Sequence, residues 1–189
     1  DNLALHLMTA VTVFFLMLLV AKNTTTAFFT SLLFAVHPVQ WEAVANISGR
    51  AVILSAWFTV NAFFFFVYSL EKKNRRGSKG ADPLYYVFSL LCFAGGMLSK
   101  ESAAMLPVLL LCYIYFVKKD AKPWRLILPY VAVVLAYVFV RCALDFTGTY
   151  PWRSPEEFVL GFLTFLRAVL TYLRLFVFPA GLHFDRAQP

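Results

Sequence analysis

The sequence predicts an all-α, polytopic membrane protein. About six transmembrane helices are expected, with one further interfacial helix at the outer face. Three observations carry this reading. Hydrophobic residues fill 61% of the 189 positions and charged residues only 14%, whereas a soluble domain is nearer half apolar and a quarter charged. The mean hydropathy of +0.72 means more apolar surface than a core of this length can hide from water. The apolar residues also fall in runs close to the roughly 20 residues that cross a bilayer. Phe alone contributes 21 residues, a composition suited to helices that face lipid.

The first predicted span covers residues 3–21 and ends at Lys22 and a polar Asn23-Thr24-Thr25-Thr26 run. A second covers 27–36 and breaks at His37-Pro38, because proline disfavours helical geometry in the residue before it. Residues 39–50 mix Gln40, Trp41, Glu42, Asn46 and Arg50 with small apolar residues, which places them at the membrane surface. The third span is 51–70, followed by a basic loop over 71–82. The fourth, 83–98, turns at Ser99-Lys100-Glu101-Ser102 into the fifth, 103–117. The sixth covers 126–144, with Pro107 and Pro129 near span starts, where proline is tolerated best. Residues 1–145 thus form a helical bundle, and 146–189 an outer-face loop and interfacial helix of the same domain. That last helix starts at Ser154-Pro155-Glu156-Glu157, a good start signal, and carries Arg167 and Arg174 on one face. A seventh crossing is its alternative reading.

The net charge of +7 does not point to nucleic acid, because no base-stacking platform interleaves with the cations. Lys72, Lys73, Arg75, Arg76 and Lys79 share one loop and Lys118, Lys119, Lys122 and Arg125 another. Basic clusters flanking apolar spans mark the cytoplasmic side. Counting spans from them sends residues 37–50, the Lys100-Glu101 hairpin and the segment after the sixth span to the opposite, outer face. Cys92, Cys112 and Cys142 lie in apolar runs without metal-ligand spacing, and read as small buried hydrophobes.

His37, Glu42, Arg50, Lys100 and Glu101 are therefore expected near one surface, with Arg174 on the same side. Cations hold a phosphate, and a carboxylate or imidazole moves a proton. Such a set suits a lipid-linked anionic substrate. The bland readings are a solvated hairpin for Lys100-Glu101, a kink residue for His37, and arginines that snorkel to headgroups. A channel or transporter would need polar groups at midplane, and only His6, Asn61 and Arg141 offer them.

The segment from Leu33 to Arg50, with His37-Pro38, Glu42-Ala43-Val44-Ala45 and Gly49-Arg50, resembles a signature of the transmembrane and tetratricopeptide-repeat O-mannosyltransferases and their bacterial relatives. Ser99-Lys100-Glu101 resembles the family's Ser-Lys-Glu hairpin. Tyr172-Leu173-Arg174-Leu175-Phe176-Val177-Phe178-Pro179, with Asp185 further on, is similar to a later family segment, and Asn2-Leu3-Ala4-Leu5-His6 to the start of its second transmembrane helix. The resemblance implies a C-type glycosyltransferase membrane fold. It implies transfer of a sugar from a polyprenyl-phosphate donor to a protein or glycan acceptor at the outer or lumenal face, often with a divalent metal. His37, Glu42 and Glu101 are then the catalytic candidates, and Arg50, Lys100, Arg174 and Asp185 the phosphate- or substrate-binding ones. The membrane implied is the bacterial inner membrane, or the endoplasmic reticulum in a eukaryote. The family's acidic catalytic loop and its repeat-containing tail are expected before Asp1 and after Pro189, in a longer protein. A noncatalytic scaffold or accessory subunit that keeps this fold is the alternative.

Overall fold

The computed structural model describes residues 1–75, 77, 80–118, 124–144 and 155–178, and these are helical throughout with short connections. Helix α1 (Asn2–Ala21) opens with the Asp1 carboxylate accepting from the Leu3 N–H at 3.1 Å. It closes at Lys22, whose left-handed backbone (φ 53°) turns the chain sharply. Asn23 then caps α2 (Thr24–Val36), accepting from the Thr26 N–H at 3.0 Å.

Helix α2 stops where the His-Pro pair predicts, with His37 extended at φ −65°, ψ 124°. Two 3-10 turns, Pro38–Gln40 and Ile47–Gly49, flank the short helix α3 (Trp41–Ala45) before α4 (Arg50–Arg75) begins. Helix α4 runs further than expected, taking Glu71, Lys72, Lys73 and Arg75 out of the predicted loop. Lys, Arg and Glu are good helix formers, and cations in a last turn oppose the negative end of the helix dipole. Pro83 starts α5 (Pro83–Ser99).

The span after the Lys100 turn is composite. A 3-10 turn (Glu101–Met105) leads into α6 (Leu106–Tyr113) and a π-helical segment (Ile114–Lys118). Helix α7 (Trp124–Ala143) contains Pro129, and α8 (Pro155–Val177) completes the described chain.

Helices α4, α5, α6 and α7 build the core around Phe66, Phe93, Leu106, Leu110 and Tyr130, all fully buried. Lipid offers no hydrophobic drive between helices, so close approach and polar contacts do the holding. Gly96 lets α5 lie against Thr59 and Ala103, since a Cβ there would come within 3.2 Å of Ala103 Cβ. Deeper in the bundle, the Ser89 hydroxyl donates to the Ala62 carbonyl and shares a 2.6 Å bond with the Tyr130 hydroxyl. No buried polar group in that layer is left alone, as an apolar surrounding requires.

Among the described residues, five helical stretches are long and apolar enough to cross a membrane: Asn2–Ala21, Arg50–Arg75, Glu101–Lys118, Arg125–Ala143 and Phe158–Val177. The expected second and fourth spans are the shorter apolar helices Thr24–Val36 and Pro83–Ser99. The segment expected to lie at the interface, α8, has the length of a crossing. One expectation is corrected outright: Cys112 and Cys142 are exposed and only Cys92 is half-buried. The apolar run around each cysteine was legible, but not which side of the helix it occupies.

Candidate functional site

The antiparallel helices give the bundle two rims. One carries Asp1, the His37–Arg50 segment, Lys100 and Glu101. The other carries Lys22, the end of α4, Asp82 and Lys118. The first rim is tied together by contacts between residues distant in sequence. The Asn2 amide donates to the Asn46 carbonyl at 2.8 Å, and the buried His6 ring bonds the Ala35 carbonyl at 3.0 Å while stacking on Phe34. Helix α1 therefore grips both ends of the chain reversal that follows α2.

Within that reversal, Gly49 is buried against Ala43, where an added Cβ would overlap the Ala43 carbonyl oxygen. The tight approach sets where Arg50, the first residue of α4, emerges. Arg50 and Glu42 are both exposed. Five residues along α4, the buried Ser55 hydroxyl lies 3.2 Å from the Gly96 carbonyl and 3.3 Å from the Lys100 carbonyl. The start of α4 and the Lys100 turn thus stand side by side, as the span count predicts.

Glu101 is exposed, and its carboxylate accepts from Arg141 Nη1 at 3.0 Å. The same guanidinium nitrogen donates to the Tyr137 hydroxyl at 3.0 Å. Arg141 was read from the sequence as an intramembrane polar group; it stands instead in the last turn of α7, at the rim. The signal that could have found it is an arginine closing one span beside an acid opening a neighbouring one.

His37 sits at the turn between α2 and the first 3-10 helix. Its Nδ1 accepts from the Val39 N–H at 3.2 Å, so the neutral ring carries its hydrogen on Nε2. Nε2 bonds the Phe176 carbonyl at 3.1 Å, and the ring stacks on Phe176 with centroids 5.4 Å apart. Both nitrogens are therefore committed to backbone. The imidazole works as a strut that fixes the end of α8, and with it the exposed Arg174 two residues earlier. Asp185 lies outside the described residues.

The rim thus joins the α4 residue Ser55 with the Lys100 turn, Glu101 with Arg141, and His37 with the end of α8. Glu42 stands near none of these pairs by a described contact. Among the described residues no group of three His, Cys, Asp or Glu side chains could hold a metal ion.

Long apolar helices around a tight core, with Arg50, Lys100 and Glu101 at one rim, define an integral membrane protein with a boundary-level candidate site. The chain belongs to the dolichyl-phosphate-mannose-protein mannosyltransferase family, whose sequence model matches residues 2–144. It is 38% identical over 117 residues to human protein O-mannosyl-transferase TMTC1, covering 60% of this chain and 13% of that protein. It is 34% identical over 107 residues to Drosophila melanogaster protein O-mannosyl-transferase Tmtc3, covering 57% and 11%. Caenorhabditis elegans protein O-mannosyl-transferase F38B6.6 is 36% identical over 96 residues, covering 51% and 12%. The matched chain spans only about an eighth of the length of these relatives. No solved structure matches the chain.

Proposed function

We propose that this chain is part of the membrane domain of a glycosyltransferase with a C-type fold. It moves a sugar, mannose by its relatives' names, from a polyprenyl-phosphate carrier to a hydroxyl of a protein or glycan acceptor. The observation that carries the reading is the Ser55 hydroxyl against the Lys100 carbonyl, which holds the Arg50 and Lys100 turns at one rim. Basic residues crowd the other rim, and this charge asymmetry supports an outer or lumenal position for the candidate site. The setting is the endoplasmic reticulum in a eukaryote or the inner membrane of a bacterium.

In the transfer, the bond between the sugar's anomeric carbon and the carrier phosphate breaks as the acceptor oxygen forms its own bond to that carbon. The acceptor's proton goes to a base, and the carrier leaves as a polyprenyl phosphate with one more negative charge. Arg50, Lys100 and Arg174 are the cations placed to meet that charge, which is greatest after bond cleavage; this is the differential stabilisation that speeds a reaction. Glu42 is the rim carboxylate not engaged by a described cation and is the acceptor-side candidate. Glu101, held by Arg141, positions donor or acceptor hydroxyls.

The test is sugar transfer by the full-length protein in proteoliposomes. Arg50→Ala and Lys100→Ala each lower kcat/KM at least tenfold, about the effect of one lost charge-assisted phosphate contact. Normal rates in both variants remove the phosphate-clamp assignment. The scaffold reading is favoured by one observation, the engagement of Glu101 by Arg141. It predicts no transfer by the wild-type protein and normal assembly of both variants with partner subunits.

A further inference from the structure

We propose that Arg141 is a further phosphate-binding residue of the candidate site, held ready for the lipid-linked donor by Glu101 and Tyr137. This assignment rests on the reading of the rim as a transfer site. Arg141 stands in the last turn of α7. Its Nη1 donates to the Glu101 carboxylate and to the Tyr137 hydroxyl, each at 3.0 Å, and so spends both of its hydrogens on protein atoms. An arginine carries five N–H donors in one fixed plane. The other three, on Nη2 and Nε, meet no hydrogen-bond partner among the described residues. Together they make the flat, two-pronged edge that takes two oxygens of one phosphate at once.

Anchoring and placement set this guanidinium apart from an ordinary surface charge. Tyr137 holds it from one turn earlier on the same helix, with the ring centre 5.9 Å from the guanidinium carbon. A loose arginine gives up rotamer freedom when it grips an anion, whereas one already fixed gives up little. An arginine that only snorkelled would leave its donors in headgroup water. As for placement, Glu101 follows Lys100, whose carbonyl lies 3.3 Å from the Ser55 hydroxyl of α4. The bond to Glu101 therefore brings the end of α7 to the same turn. Lys100 forms no ion pair among the described residues, so Lys100, Glu101 and Arg141 together are cationic. The Arg141 side chain stays 40% exposed even with Nη1 committed, which leaves a ligand room to approach.

The chemistry recognised is a phosphate on a long apolar tail. A polyprenyl-phosphate donor and an ordinary glycerophospholipid both carry one. The donor is the occupant assigned, because the cations beside Arg141 are those proposed to meet the carrier's charge.

The test measures binding rather than transfer, with the full-length protein in mild detergent. The probe is a short-chain polyprenyl phosphate, and the matching polyprenol is its uncharged control. Wild type is expected to bind the phosphate at least about tenfold more tightly than the alcohol, and Arg141→Ala to lose about tenfold in phosphate affinity. Arg141→Lys recovers only part of that loss, since an ammonium restores the charge without the fork. Tyr137→Phe frees one side of the guanidinium and loses about threefold. Arg75→Gln, on the opposite rim, binds as wild type does. An exposed ion pair adds little to stability, so Arg141→Ala should unfold near the wild-type temperature; should it fail to fold, Arg141→Lys and Tyr137→Phe carry the test. Undiminished phosphate affinity in Arg141→Ala, or full recovery in Arg141→Lys, overturns the proposal. Equal competition by phosphatidylglycerol makes the residue a headgroup contact and overturns the donor assignment. Losses in Arg50→Ala and Lys100→Ala with none in Arg141→Ala refute this assignment alone. The reverse pattern refutes the Arg50 and Lys100 clamp and leaves Arg141 standing.

Discussion

Gly49→Ala tests how closely the rim geometry governs the proposed chemistry. The added methyl overlaps the Ala43 carbonyl oxygen and sits 3.1 Å from the Ala43 Cα and carbonyl carbon. All three neighbours are backbone, so no side chain can rotate away. Relieving the overlap moves the backbone by on the order of 1 Å, and overpacking of this kind costs about 1–3 kcal/mol. The 3-10 turn that must yield holds the Gly49 N–H to the Asn46 carbonyl at 3.0 Å, and Arg50 is its next residue. The displacement therefore reaches the first cation of the proposed clamp almost undiminished. A misplacement of about 1 Å at a reacting centre lowers the rate by about a hundredfold. The assay is transfer of labelled mannose from a polyprenyl-phosphate carrier by the full-length protein in proteoliposomes, with thermal unfolding recorded in parallel. Gly49→Ala should lower kcat/KM as far as Arg50→Ala does, and should also lower Tm, which the exposed Arg50 should not. Wild-type kcat/KM and Tm in Gly49→Ala would show that the turn is slack and that the argument from close packing fails.

Two further outcomes follow from the buried hydroxyls. Ser89→Ala strands the Tyr130 hydroxyl in the core and should destabilise by about 1–3 kcal/mol, whereas Tyr130→Phe leaves Ser89 bonded to the Ala62 carbonyl and should cost about 0.5–1.5 kcal/mol. Denaturant unfolding in micelles orders the two variants, and the reverse order refutes the network. Ser55→Ala loses both carbonyl contacts at about 1 kcal/mol, and should lower kcat/KM by more than Tm alone predicts; an unchanged rate would detach Ser55 from the site.

Most of the helix order was legible because hydropathy reports it directly. The break at His37-Pro38 and the start at Pro83 were legible because proline acts through its own ring, without help from tertiary neighbours. The end of α4 was not. Charged residues look like loop, yet Glu71 and Lys72 stay helical with their charges matched by Lys118 and Asp82. Lys118 lies 47 residues from Glu71 and leaves no local trace there.

The site divides in the same way. Membrane sidedness, counted from basic loops, brought Arg50 and Lys100 to one rim by arithmetic alone. What each side chain does there depended on partners many residues away. Glu101 shows no partner in the sequence, yet Arg141 stands beside it, and both nitrogens of His37 are bonded to backbone. The family match supplied the likeness of segments but not these pairings.

The hydroxyl of Ser55 touches two carbonyls of the facing helix at once, those of Gly96 and Lys100. A group gripped at two points a turn apart resists sliding as well as separation. The two helices are thereby coupled, so that in the proposed clamp a shift of one carries the other with it and the gap between the Arg50 and Lys100 turns stays the same.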